Sequence, residues 1–165
     1  MYIQYNLSYN KNTGIVRWKV MRNMRLSKEK LIQLQNYFKN EKDIILVYLF
    51  GSYGTERETS LSDIDFAVLF SKSSKIDLRR EMKIMAQISL LLNIEKVDLV
   101  NLNKAPVCLQ HEIISSGDLI FEREELQTAN FVKQVLTFYY DEKIRSEKFY
   151  KIYGQVIKEE YLDER

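Results

Sequence analysis

Three aspartates stand in two short apolar segments, where a carboxylate needs a partner. Asp63 and Asp65 begin a segment that continues through Val68, and Asp98 interrupts a second apolar segment. In a strand, Asp63 and Asp65 would share one face at a separation of roughly 7 Å. Because neighbouring carboxylates repel, ionising both is costly. A divalent cation held by oxygen atoms, Mg²⁺ or Mn²⁺, would remove that cost, although a solvated strand edge or a helix cap would show the same Asp-x-Asp pattern.

A glycine and a serine, Gly51 and Ser52, follow a continuous apolar run over residues 44–50. A glycine at the end of a buried strand lets a phosphate approach the backbone, and backbone N–H groups with the Ser52 hydroxyl could hold it. A simple turn would also use Gly-Ser. Ten residues separate Ser52 from Asp63, and each motif lies at the end of its own predicted strand. We therefore expect the two motifs to serve one site.

The elements predicted around these residues alternate between strands and helices. Strands are predicted over 44–50, 63–70, 96–101 and 118–121. Helices are predicted over 27–40, about 76–92, 106–116 and about 126–161, with Gly154 as a candidate interruption. Apolar residues at helical spacing are assigned to the core. They are Leu31, Leu34 and Phe38 in the first helix, Met82, Met85, Ile88 and Leu92 in the second, and Ala129, Val132, Leu136 and Tyr139 in the last.

The first 25 residues differ from the rest in being rich in tyrosine and asparagine. Residues 2–7 and 15–20 could form two strands around a turn at residues 10–14. Equally, this segment could be a leader, with Met21 or Met24 as the working start. We therefore divide the chain into an N-terminal extension, residues 1–25, and a single domain, residues 26–165.

Composition excludes several classes of site. The chain has 165 residues and a net charge of +2, too balanced to predict a broad surface for binding nucleic acid. One cysteine and one histidine, Cys108 and His111, cannot form an internal disulfide or a Cys/His zinc site. No membrane-spanning run and no signal pattern is visible, so the cytoplasm is the expected location.

Together these residues resemble the DNA polymerase β-like nucleotidyltransferase superfamily. The resemblance is carried by Gly51-Ser52, by Asp63-x-Asp65 ten residues later, and by Asp98 in a later strand. Within the superfamily the chain, from about Met24 onwards, is similar to the minimal nucleotidyltransferases (MNT), antitoxins paired with HEPN-domain ribonuclease toxins. The resemblance implies an α/β (α+β) fold, with a small mixed sheet flanked by helices and a long C-terminal helix.

The resemblance also implies a reaction and a set of roles. Asp63, Asp65 and Asp98 would hold Mg²⁺ or Mn²⁺ in a two-metal mechanism, with Asp98 accepting the proton of the attacking hydroxyl. Gly51 and Ser52 would bind the phosphates of the substrate, ATP. The acceptor in this family is a tyrosine hydroxyl of the cognate HEPN toxin, which is adenylylated and silenced. The toxin is the expected partner, with no membrane and no direct nucleic-acid binding.

Three alternatives to protein adenylylation stay open. One is nucleotidyl transfer to a small molecule such as an aminoglycoside, although such enzymes usually carry an extra helical domain and only 67 residues follow Asp98 here. The second is an antitoxin that acts by binding alone. The third is transfer to RNA, for which no appended RNA-binding domain is visible.

The chain contains eleven tyrosines, several of them in the last predicted helix. Tyrosine is favoured at interfaces, so Tyr139, Tyr140, Tyr150, Tyr153 and Tyr161 could form a face that binds a partner. They could equally be spread around a solvated helix.

Overall fold

A computed structural model describes residues 5–10, 15–20, 26–53 and 63–161. This part of the chain contains six strands and four helices. The strands are β1 (Tyr5–Asn10), β2 (Ile15–Val20), β3 (Ile44–Phe50), β4 (Ile64–Phe70), β5 (Val97–Asn101) and β6 (Asp118–Glu122). The helices are α1 (Lys28–Asn40), α2 (Leu78–Leu92), α3 (Val107–Ser116) and α4 (Glu125–Tyr161). None of these helices is long and apolar enough to cross a membrane.

β1 and β2 pair with each other as an antiparallel two-stranded sheet. Their register runs from Tyr5 opposite Val20 to Asn10 opposite Ile15. β2 has the bounds that the hairpin hypothesis gave it, whereas β1 begins and ends three residues later than residues 2–7. Met21 and Met24, the alternative starts, lie outside the described residues. The division of the chain at residue 25 stays a prediction.

The second sheet has four strands in the order β5-β4-β3-β6. β4 and β5 run parallel, whereas β3 runs antiparallel to both of its neighbours, β4 and β6. The sheet is therefore mixed. With the flanking helices and the long C-terminal helix α4, this architecture confirms the fold that the sequence predicted.

Buried side chains cover both faces of this sheet. Phe38 of α1 and Ile88 of α2 pack with Val47 of β3 on one face. Ile113 of α3 packs with Leu46 of β3 on the other, and α4 packs against α3. A strand buried on both faces is expected to be apolar at every position rather than at alternate ones. This explains the unbroken apolar run that predicted β3.

The buried face of α2 includes two of the four residues predicted for it, Ile88 and Leu92, and Met85 is half-buried. Ile84, Ile88 and Leu92 are buried, and four-residue spacing places them on one stripe of the helix. Met82 is 55% exposed, because it precedes Ile84 by two residues and so lies about 200° around the helix from it. The assignment of Met82 to the core was wrong. In α1 the prediction is confirmed, since Leu34 and Phe38 are buried and Leu31 packs against them.

The last helix also departs from the prediction in two ways. α4 continues through Gly154 to Tyr161 without a break, so the candidate interruption does not occur. One glycine costs about 1 kcal/mol relative to alanine in a helix, which a helix of 37 residues tolerates. Ala129 is exposed, whereas Thr128 and Val135 are buried.

Arg123, directly after β6, ties the end of α1 to the start of β3. Its guanidinium donates hydrogen bonds to the backbone oxygens of Phe38 at 2.9 Å, Glu41 at 2.8 Å and Ile44 at 2.7 Å. The last carbonyls of a helix lack partners within the helix, and Arg123 supplies them. The side chain thereby fixes the turn that leads α1 into β3.

We expect Arg123→Met to lower the free energy of unfolding by about 1–3 kcal/mol, because it leaves partly buried carbonyls without donors. Chemical denaturation followed by circular dichroism would measure the loss. Arg145→Met is the matched control, since the Arg145 side chain is 72% exposed and pairs with Glu142 one turn away. Exposed pairs of this kind contribute about 0–1 kcal/mol. Equal losses in the two variants would contradict the bracing role of Arg123.

Candidate active site

The strand register brings the three aspartates to one edge of the four-stranded sheet, the edge at which β3 ends and β4 and β5 begin. Asp65 of β4 stands directly opposite Asp98 of β5 in the parallel ladder. Asp63 immediately precedes β4. On its other side, Asp65 pairs with Phe50, the last residue of β3. Gly51 and Ser52 follow Phe50, so the five residues singled out from the sequence meet at this edge.

The backbone at Gly51 lies directly against the Asp65 carboxylate. Gly51 has a φ of +76°, a left-handed conformation that favours glycine. A Cβ atom added there would lie 1.9 Å from Asp65 Oδ2 and 2.8 Å from its Cγ. Rotating the carboxylate would therefore not make room for a side chain. A glycine is needed both for the turn and for the close approach to Asp65.

The surroundings of the Asp65 carboxylate disfavour its negative charge. Burial raises its pKa above the ordinary range, and the neighbouring charges of Asp98 and Asp63 raise it further. Each of these causes disfavours the ionised form. A bound cation would offset the raised pKa, because it supplies positive charge where the acids repel one another. The electrostatics of Asp65 fit a cation site.

One carboxylate oxygen of Asp63 is buried without a hydrogen bond. Its side chain is 42% exposed, yet its Oδ1 atom is shielded from solvent and makes no hydrogen bond. The ammonium of Lys96 lies 3.8 Å from that oxygen, close enough for an ion pair but not for a hydrogen bond. Sequence reasoning missed Lys96. Its position two residues before Asp98 indicates a shared strand face with that acid, but only the β4–β5 register shows that Lys96 lies beside Asp63.

Asp63, Asp65 and Asp98 lie near one another but do not converge on one point as preformed metal ligands would. Within residues 26–53 and 63–153, whose side chains are described, no three His, Cys, Asp or Glu side chains converge as a metal cluster. The chemistry of the donors still suits a hard cation, since Asp63, Asp65 and Asp98 offer only oxygen. Charge and register, rather than a preformed cage, support the assignment.

Several other polar residues lie away from this edge. Lys72 follows the far end of β4, beside Asn103 and Gln110, in an open cavity of about 420 Å³. His111 stacks on Tyr139 with ring centroids 3.6 Å apart, which gives it a packing role between α3 and α4. Cys108 is exposed.

A sequence model of the family described as polymerase beta, nucleotidyltransferase, matches residues 32–126. The chain belongs to this family. The matched range includes all five candidate site residues and the strands β3 to β6. No curated protein sequence matches the chain.

Several solved structures with the same fold are toxin–antitoxin complexes. One was determined with AMP-PNP and matches with 24% identity and a TM-score of 0.60, over 78% of this chain and 99% of the other. A mutant of the MntA–HepT complex matches with 25% identity and a TM-score of 0.57, over 78% and 98%. The third contains the tri-AMPylated Shewanella oneidensis HEPN toxin with MNT antitoxin, at 20% identity and a TM-score of 0.55, over 76% and 98%.

We expect Gly51→Ala to lower the free energy of unfolding by about 1–2 kcal/mol from backbone strain alone, and to displace Asp65. Differential scanning calorimetry and ATP binding would measure both effects. Gly154→Ala is the control, because the same change in a helix stabilises by about 0.5–1 kcal/mol. Parental stability and parental ATP binding in Gly51→Ala would show that the close approach to Asp65 does not matter.

Proposed function

We propose that this chain is an antitoxin nucleotidyltransferase that transfers AMP from ATP to a tyrosine hydroxyl of a cognate HEPN ribonuclease toxin. The observation that carries the proposal is the pairing of Asp65 with Asp98 at the strand edge where Gly51 approaches the Asp65 carboxylate. Membership of the nucleotidyltransferase family supports the reaction class. Neighbours solved with AMP-PNP and with a tri-AMPylated HEPN toxin support the nucleotide and the acceptor.

In this proposal the three acids divide between two metal positions. Asp63 and Asp65 would hold Mg²⁺ or Mn²⁺, and Asp98 would complete a second metal position. When bound, such ions neutralise the triphosphate and stabilise the attacking and leaving oxygens. Gly51 and Ser52 would contact the β- and γ-phosphates through backbone N–H groups and the Ser52 hydroxyl, at the turn that the positive φ of Gly51 forms after β3.

The transfer itself exchanges one bond to phosphorus for another. The acceptor tyrosine oxygen forms a bond to the α-phosphorus of ATP, and the bond from that phosphorus to the bridging oxygen breaks. Pyrophosphate leaves, and the hydroxyl proton passes to the Asp98 carboxylate. Asp98 suits this role because it is exposed, unlike the strand residues around it, so that a protein-borne hydroxyl can reach it. Positioning and charge neutralisation supply most of the acceleration in such transfers.

We expect the double substitution Asp63→Asn and Asp65→Asn to preserve the fold and abolish transfer. Neutral amides remove the repulsion at Asp65 but hold Mg²⁺ poorly. The barrier should rise by on the order of 4 kcal/mol or more, which is a rate loss of about a thousandfold. The measurement is label from α-³²P-ATP appearing on the purified cognate toxin in the presence of Mg²⁺.

A control for this experiment removes two other acidic charges. Glu29→Gln with Glu112→Gln changes exposed side chains on α1 and α3, and should leave transfer at the parental rate. The double aspartate variant should still bind the toxin but no longer rescue cells from it. Full rescue without measurable transfer would refute the catalytic account and favour neutralisation by binding alone.

The outer half of α4 offers a surface for the toxin. Phe149 and Tyr153 are 62% and 53% exposed, and their rings stack with centroids 5.8 Å apart. Tyr150, 69% exposed, lies beside them with its ring edge-on to Phe149. Exposed aromatic groups of this kind mark interaction sites, and the solved neighbours are complexes with a second protein. We therefore assign Phe149, Tyr150 and Tyr153 to the toxin contact.

We expect Phe149→Ala with Tyr153→Ala to weaken toxin binding at least tenfold, because aromatic anchors dominate interface energies. Isothermal titration calorimetry with the purified toxin would measure the affinity, and ATP binding should not change. Leu90→Ala is the matched control, since Leu90 is an apolar residue of α2 that is 73% exposed. Equal toxin affinity in the control and the double variant would remove this surface from the interface.

A further inference from the structure

Lys96 is held beside Asp63 by the backbone as well as by charge. Its carbonyl oxygen accepts a hydrogen bond of 3.1 Å from the N–H of Ile64, the residue after Asp63. In the parallel ladder Ile64 stands opposite Val97, so Asp63 and Lys96 each lie one position earlier. The register that pairs Asp65 with Asp98 therefore also brings a lysine to the neighbouring acid.

The ammonium of Lys96 faces the one oxygen of Asp63 that most needs positive charge. Asp63 Oδ1 is shielded from solvent and makes no hydrogen bond, and Lys96 Nζ lies 3.8 Å from it. A shielded carboxylate oxygen without a hydrogen bond is costly unless an opposite charge is near. Lys96 supplies that charge at the oxygen that would otherwise be available to a metal ion.

We propose that Lys96 is a built-in counter-ion of Asp63 that competes with the divalent cation and thereby sets the metal affinity of the site. This inference rests on the proposed function, because it takes Asp63 to be a metal ligand. Lys96 acts through Asp63 and is a positioning residue, not a catalytic one.

The geometry favours a counter-ion that can be displaced. The Lys96 side chain is 56% exposed and ends in a flexible, strongly hydrated ammonium, so it can move into solvent when a cation arrives. At 3.8 Å the pair makes no hydrogen bond and its lysine end is exposed, so moving the ammonium away costs little free energy. The site would remain able to bind the cation, but more weakly than the acids alone would bind it.

The test measures Mn²⁺ affinity of the full chain without nucleotide, by electron paramagnetic resonance of the free ion. We expect Lys96→Met to bind Mn²⁺ about three- to tenfold more tightly than the parent, the order of magnitude given by one unit charge near a dication in a solvated site. Lys96→Arg keeps the charge and should bind like the parent. Lys96→Gln is a second neutral variant and should behave like Lys96→Met, with folding checked by circular dichroism.

Lys104→Met is the matched control for loss of a positive charge and of an ion pair. The Lys104 side chain is 61% exposed and pairs with Glu81 at 2.9 Å, at the far end of β5. Its removal should leave Mn²⁺ affinity unchanged. Equal affinity in Lys96→Met, Lys96→Gln and the parent would overturn the counter-ion role, as would weaker binding in the neutral variants.

Asp65→Asn separates this inference from the proposed function. If Asp65→Asn abolishes Mn²⁺ binding while the neutral Lys96 variants match the parent, the metal site stands and only the role of Lys96 falls. If the parent binds no Mn²⁺, or binds it regardless of Asp65→Asn, the proposed metal site falls and the role of Lys96 falls with it.

Discussion

Repulsion among Asp63, Asp65 and Asp98 is the constraint around which the four-stranded sheet is arranged. Free carboxylates would separate, but Asp65 is held opposite Asp98 by the β4–β5 ladder, and both faces of the sheet are packed. Every residue of β4 other than Asp65 is buried, so the strand has little freedom to slip. A one-residue shift would expose its apolar side chains. The free energy gained by burying the core thus offsets the repulsion between like charges at one edge.

The end of β3 completes this arrangement because the strand is fixed at both of its ends. At its start, Arg123 donates hydrogen bonds to the carbonyls of the α1–β3 turn. At its finish, Gly51 turns with a positive φ and brings the main chain against Asp65. A strand anchored at only one end could shift this turn relative to the acids. The distance between the Gly51 backbone and the Asp65 carboxylate therefore depends also on the Arg123 contacts at the other end of β3.

Much of this was visible in the sequence because burial and spacing are local properties. The apolar run of β3 gave its bounds, and the alternation of Asp63 and Asp65 predicted their shared face, but neither pattern states which strand lies beside which. Lys96 was missed for that reason, since a lysine at the start of a strand is ordinary until the register sets it next to Asp63. Met82 was misassigned because its hydrophobicity does not reveal which side of α2 meets the sheet.

The shape of the molecule bears on what its acceptor can be. The cavity of about 420 Å³ lies at the far ends of β4 and β5, roughly 17 Å along the strand from Asp65, so a small acceptor bound there would not reach the acids. By contrast, Asp98 is exposed at the carboxylate edge, and α4, about 55 Å long, carries exposed aromatic side chains in its outer half. An acceptor that is itself a folded protein could use both features at once, docking on the helix while presenting a hydroxyl to the edge. Under the proposed function, the exposed aromatic side chains of α4 and the exposed Asp98 suit a macromolecular acceptor.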